Sequence, residues 1–239
     1  MTTVVLLRHG RTQANATGVL AGRSSGVELD QSGRAQAVRA AERLAGVSLS
    51  AIASSPLRRC RQTAAALLEG HPERHVEVER GLIECGYGEW TGRKLSELAR
   101  EPLWKTIQTQ PSAVQFPGGE AMVEMSSRAM RAIHTWDRAV AAQHGEHAVW
   151  VAVSHGDVIK AILAAALGMH LDAFQRILVD PASMSVVRLS PDRPYVLTMN
   201  TTAGDLTGML TPPKHRRRST TRSAKSTDAP VGGGMGTAT

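Results

Sequence analysis

The stretch Ala148-Val149-Trp150-Val151-Ala152-Val153-Ser154-His155-Gly156-Asp157 decides the fold. Its first six residues are almost wholly apolar and short, as expected of a central strand covered on both faces. The run then turns abruptly polar. An apolar helix from Asp157 to Leu167 follows, stopped by Gly168, so strand and helix are joined by Ser-His-Gly alone.

Working outward, the same alternation recurs. Thr3-Val4-Val5-Leu6-Leu7 reads as a first strand, followed by a polar loop and a helix that Ser32 can cap, running to about Leu44 with Gly46 as its stop. Leu49 to Ala53 reads as a second strand. Ser55-Pro56 then offers a capping hydroxyl before a proline at the first helical position, opening a helix that ends at Gly70. His75 to Glu79 alternates as an edge strand. Met122, Met125, Ala129, Ile133, Trp136 and Val140 share one face of the longest helix, which Gly145 closes. Met184–Leu189 and Tyr195–Met199 suggest a closing antiparallel hairpin. Strands alternating with helices predict βαβ units and a mainly parallel sheet.

The chain has 239 residues, 42% of them hydrophobic, enough for one domain with a substantial core. Only 3% are aromatic, so that core is aliphatic. No run approaches the ~18 apolar residues that span a bilayer, and the first residues lack a cleavage signal. The expectation is a soluble, uncleaved, cytoplasmic protein with no membrane partner. Cys60 and Cys85 form neither a C-x-x-C pair nor a disulfide ladder and are expected as reduced packing thiols.

The net charge of +7 is unevenly spread. Residues 212–239 carry six cationic residues against Asp228 alone, leaving +2 on the first 211. This segment is rich in Pro, Gly, Ser and Thr, which predicts a domain over 1–211 and a disordered basic tail over 212–239. Without interleaved aromatics for stacking, the tail is not expected to bind specific nucleic acid. Its role and the oligomeric state are left open.

The chemistry collects where strands end: Leu7 into Arg8-His9-Gly10, Ala53 into Ser54-Ser55-Pro56-Leu57-Arg58, and Val153 into Ser154-His155-Gly156. In a parallel sheet these carboxyl ends lie along one edge and converge on one crevice. Arg8, His9, Arg58 and His155 would then surround a multiply charged oxyanion. Phosphoryl transfer needs a nucleophile, positive charge around the equatorial oxygens and a proton for the leaving oxygen. One imidazole must be neutral to attack, while the other serves better protonated. The pairs His71/His75 and His144/His147 lack supporting ligands, so no metal is expected, and no nucleotide-binding loop or other cofactor signature appears.

Four runs carry a resemblance: Leu7-Arg8-His9-Gly10-Arg11-Thr12-Gln13-Ala14-Asn15, Ser54 through Ala64, Leu82 through Gly92, and Val153-Ser154-His155-Gly156. Together, in this order, they resemble the signatures of the histidine phosphatase superfamily, in the branch that includes cofactor-dependent phosphoglycerate mutases. The resemblance spans about residues 3–200. It implies a three-layer α/β/α sandwich with a mostly parallel sheet and an antiparallel edge. It also implies that His9 is the phosphorylated nucleophile, that Arg8, Arg58 and His155 clamp phosphate with Asn15 as a further contact, and that Glu84 is the general acid. Glu89 and Glu120 lie in similarly Gly-rich segments and are alternatives to Glu84.

The expected activity is hydrolysis of a phosphomonoester of a small metabolite through phosphohistidine, without metal or cofactor. The alternative is a phosphoglycerate-type phosphomutase. The short segment between Trp90 and Phe116 favours the hydrolase, because it leaves the site open to water. A phosphate-binding scaffold acting through the tail is a third reading, opposed by the full set of nucleophile, clamp and acid. Residues 16–30 and 90–120 would contact the organic part of the substrate, and Phe116-Pro117-Gly118-Gly119-Glu120 would reach the pocket mouth.

Overall fold

The protein is described here from a computed structural model, which covers residues 2–204, 206 and 210. The expected tail, 212–239, lies outside the described residues. Six strands form one sheet: β1 (Thr2–Arg8), β2 (Leu49–Ser54), β3 (Val76–Val78), β4 (Val149–Ser154), β5 (Met184–Leu189) and β6 (Tyr195–Thr201), in the order β3-β2-β4-β1-β5-β6. The β3-β2-β4-β1 half is parallel, and β5 and β6 add antiparallel to β1.

Seven α-helices occur among the described residues. They are α1 (Gln13–Ala16), α2 (Gln31–Leu44), α3 (Arg58–Leu67), α4 (Leu95–Leu98), α5 (Pro102–Thr109), α6 (Met122–His144) and α7 (Gly156–Ala166). Successive strand residues point to opposite faces and enter different cores. Val4, Leu6, Trp150 and Ala152 pack with α6 and α7, whereas Val5, Leu7, Val151 and Val153 pack with α2 and α3. That split makes the expected α/β/α sandwich. Every residue of β4 is buried, which explains its unbroken apolar run.

Three local expectations change. The cap of α2 is Asp30 rather than Ser32: the Asp30 carboxylate accepts the Gly33 N–H at 2.7 Å. A carboxylate also suits the positive end of the helix better than a hydroxyl. Helix α3 starts at Arg58, two residues beyond Pro56, and its cap residue Leu57 offers no side-chain bond. Ser55 is turned into the core instead. Strand β3 is limited to Val76–Val78 and pairs only with β2, as an edge strand.

The loop after β1 is fixed by glycine contacts. A Cβ at Gly33 would lie 1.9 Å from the Arg11 carbonyl oxygen, and one at Gly10 would lie 2.4 Å from the Gly33 carbonyl oxygen. No L side chain fits so close to backbone, so α2 presses directly on the segment bearing His9. Gly33→Ala is therefore expected to cost about 1–3 kcal/mol in urea denaturation, as forced overpacking does. An unchanged midpoint would show that this contact does not hold the loop.

Candidate active site

The ends of β1, β2 and β4 are tied together by backbone. His9 N–H donates to Ser154 O (3.0 Å), and Ser55 N–H donates to Val153 O (2.9 Å). The result brings the His9 and His155 rings to 5.2 Å between centroids, at 63°. Beside them opens a cavity of about 310 Å³, whose inner end includes Arg8, His9, Asn15, Arg59 and Glu84.

His9 is buried, and its Nδ1 lies 2.7 Å from Gly10 O. A carbonyl can only accept, so Nδ1 carries the proton and Nε2 keeps its lone pair. Arg59 Nε donates to that Nε2 at 3.2 Å. Burial, then Arg59 and Arg8, push the His9 pKa well below its ordinary 6.5, so the ring is neutral.

His155 is fully buried and contributes no surface to the cavity; it stands directly behind the Arg59 guanidinium. Arg59 Nη2 donates to its Nδ1 (3.2 Å), which places the His155 proton on Nε2, 2.7 Å from Ser55 Oγ. The expectation of one neutral and one charged imidazole is not met in this state. Burial and Arg59 lower His155 just as they lower His9.

Arg58 does not reach the crevice. It pairs with Glu28 at 3.0 Å with 64% of its side chain exposed, and Arg59 occupies the inward position, 2% exposed. The cause is helical phase. Cys60, Thr63, Ala64 and Leu67 form the buried face of α3, and Arg59 belongs to that face while Arg58 falls outside it. That stripe was present in the sequence and assigns the arginine correctly once used.

Two guanidinium nitrogens, Arg8 Nε and Arg59 Nη1, are buried without a hydrogen-bond partner. Each guanidinium is also anchored: Arg8 Nη1 donates to Val179 O (2.6 Å), and Arg59 Nη2 donates to Gly22 O (2.8 Å). Gly156 packs beside Arg8, whose guanidinium carbon lies 3.6 Å from where a Cβ would be. Asn15 Oδ1 accepts from the Thr12 N–H and hydroxyl, so its amide NH2 is the group left for the cavity. Buried donors with nothing to donate to are costly, and an oxyanion in front of His9 satisfies them.

Glu84 is 8% exposed, and its Oε2 lies 3.9 Å from His155 Nδ1. Burial, followed by the Asp157 charge, raises its pKa to about 7 despite the neighbouring arginines. Its loop is clamped because Arg23 Nε and Arg128 Nη2 both donate to Glu84 O. The alternatives separate cleanly. Glu120 pairs with Arg23 and Arg128 and is held below the usual range, while Glu89 is exposed and outside the cavity.

Both cysteines are free and buried. Cys60 Sγ sits 3.4 Å from His155 Nε2, and burial pushes its thiol up to about 12, so it packs as a thiol. Among the described residues no cluster of three or more His, Cys, Asp or Glu is placed to hold a metal, and no helix is long and apolar enough to cross a membrane.

The segment between Trp90 and Phe116 folds into α4 and α5 and contributes Leu95, Trp104, Ile107 and Gln108 to the wall of the outer cavity. Phe116 also lines the cavity, so its segment reaches the site as expected. Val19 to Gly22 complete the opposite side.

The fold and this crevice define an α/β enzyme site built to hold an oxyanion against an unprotonated imidazole nitrogen. Residues 4–202 match the histidine phosphatase superfamily (branch 1), and the chain belongs to that family. It is 29% identical to phosphoserine phosphatase 1 of Hydrogenobacter thermophilus, across 84% of this chain and 93% of that one. It is 35% identical to glucosyl-3-phosphoglycerate phosphatase of Mycolicibacterium vanbaalenii, across 71% and 76%. A solved mycobacterial glucosyl-3-phosphoglycerate phosphatase in complex with VO3 superposes with a TM-score of 0.75 at 27% identity, covering 83% of this chain and 98% of that one.

Arg59→Ala is expected to weaken inorganic phosphate binding by roughly 10- to 100-fold in calorimetry, the range for charge-assisted bonds. Arg58→Ala should change it less than about twofold, as for an exposed pair. Equal losses in the two variants would contradict the assignment of the inward arginine.

Proposed function

We propose that the chain hydrolyses phosphomonoesters of small metabolites through a phosphohistidine at His9. The unpartnered donors of Arg8 and Arg59 beside the His9 lone pair carry this reading, because they match the charge and position of a phosphoryl group. Three equatorial oxygens take Arg8 Nε, Arg59 Nη1 and the Asn15 amide. Arg59 Nε exchanges the imidazole for an oxygen, which frees His9 Nε2.

In the first step the Nε2 lone pair attacks phosphorus, the bond from phosphorus to the alcohol oxygen breaks, and the Glu84 carboxyl protonates the departing oxygen. In the second, water attacks the phosphohistidine while the Glu84 carboxylate takes its proton. The phosphorus–nitrogen bond breaks and phosphate leaves. His155 stays neutral behind Arg59: its Nδ1 accepts from Arg59 Nη2 while Ser55 holds Nε2, which positions the guanidinium that faces the phosphoryl group. A pKa near 7 suits Glu84 to both donating and accepting near neutral pH. Two buried, unpaired thiols support a cytoplasmic setting.

A phosphomutase would share the first step and return the phosphoryl group to a second hydroxyl. With 3-phosphoglycerate and its bisphosphate primer, we expect phosphate release in place of isomerisation. His9→Ala should abolish turnover and remove the acid-labile labelled phosphoenzyme seen on quenching. Persistence of the label would refute the nucleophile.

The pH profile tests the acid. His9 must be deprotonated, and its lowered pKa puts the acidic limb below 6.5; Glu84 must be protonated, so kcat/KM should fall as pH rises through about 7. Glu84→Gln should lower kcat by roughly 10²–10⁴ and erase the alkaline limb. The substrate's own second ionisation affects both enzymes alike. A limb that survives in the variant would remove Glu84 from the role.

A further inference from the structure

The chain contains eight aromatic residues, two Phe, four Trp and two Tyr, and four of them line this single cavity: Tyr87, Trp90, Trp104 and Phe116. Trp90 stacks on Trp104 at 6.4 Å and 21°, and Phe116 meets Trp90 edge-on at 5.6 Å. Leu95 completes the wall while 40% exposed, an apolar side chain left facing the opening. Tyr87, Trp90 and Phe116 belong to the buried core shared with α6 and α7, and Trp104 packs against it, so one aromatic edge of that core faces the cavity.

The charges point the same way. Arg8 and Arg59 serve the phosphoryl end. The remaining cation of the lining, Lys160, is already engaged: its Nζ lies 3.0 Å from Gln175 Oε1, 3.6 Å from Asp157 Oδ1 and 5.4 Å from the Phe174 ring centre. Asp157 in turn accepts the Tyr87 hydroxyl at 2.8 Å. A carboxylate on the substrate would therefore be desolvated against apolar rings without an unmatched cation among the lining residues, and beside Glu84 and Asp157.

We infer that the substrate's alcohol carries an apolar, ring-sized group and no carboxylate, and that the Trp90–Trp104–Phe116 wall selects it. This rests on the phosphatase reading and narrows it: two of the related phosphatases are named for phosphoserine and a phosphoglycerate ester, both carboxylate-bearing.

The test compares 2-phenylethyl phosphate with O-phosphoserine and 3-phosphoglycerate on the purified full chain. All three are esters of aliphatic alcohols, so leaving-group acidity does not favour an aryl compound. Burying the ring predicts a kcat/KM advantage of about tenfold or more for 2-phenylethyl phosphate. Trp104→Ala should shrink that ratio mainly by raising KM for the ring-bearing ester. Leu95→Lys, at an exposed position that tolerates a long side chain, should shift preference toward 3-phosphoglycerate. Faster turnover of the carboxylate esters by the wild type, or a ratio unmoved in both variants, overturns the inference while leaving the phosphatase intact. No release from any ester above the His9→Ala control would overturn the phosphatase reading itself.

Discussion

The in-register parallel pairing of β1 with β4 is the constraint on which the site depends. Arg8 stands opposite Ser154, and the pairing continues one residue further through the bond from His9 N–H to Ser154 O. His9 and His155 thus leave the sheet at the same level. A one-residue slip would shift one ring by about 3.3 Å and send its side chain toward the opposite face. The buried apolar residues alternating on both faces of both strands make that slip expensive, so the two-sided core sets the spacing of the imidazoles. Strand β2 joins the same lock through Ser54 opposite Val153. It places α3, and with it Arg59, above the pair.

Arg59 turns this geometry into electrostatics. Its guanidinium bridges His9 Nε2 and His155 Nδ1 as a donor to both, which is possible only when both imidazoles offer a lone pair. Burial already disfavours a charged ring, and an adjacent permanent cation disfavours it more. The site therefore concentrates positive charge in two arginines while keeping the histidines neutral. Glu84 obeys the other half of this logic. Two arginines should hold a carboxyl down, yet burial and the Asp157 charge outweigh them. Removing water has left an imidazole with its lone pair beside a carboxyl group that holds its proton more tightly than a free one.

Much of this was legible in the sequence because it depends on period and punctuation. The apolar runs at 3–7, 49–53 and 148–153 located the strands, and polar residues immediately following them located the crevice. The misplacements have physical causes. Arg58 follows the strand-end run directly, but α3 has already begun there, and angular position on the helix decides which arginine turns inward. Ser32 was preferred as a cap although Asp30 stands two residues earlier, since both are good caps and only tertiary contact selects between them. Ser55 looked like a helix cap and serves His155 instead, a pairing across 100 residues that no local pattern records. Its hydroxyl is diverted because α3 starts later than Pro56 suggests.

The wall of the cavity was the least legible part, and the reason separates it from the floor. Floor residues sit at strand ends, so backbone pairing determines their positions and a sequence pattern reports them. Wall residues come from short segments: α4 spans four residues, α5 spans eight, and 19–22 is a loop. Such segments are too brief to show a period, and their positions follow from tertiary contacts: the stacking of Trp90 on Trp104, the edge of Phe116, and backbone bonds from Leu20 N–H to Arg93 O and from Leu95 N–H to Gly18 O. Substitution in the wall leaves the sheet register untouched, so recognition of the alcohol can change while the phosphoryl machinery stays fixed. In the proposed reaction β1 and β4 would fix where phosphorus sits, and the residues between Trp90 and Phe116 would meet what is attached to it.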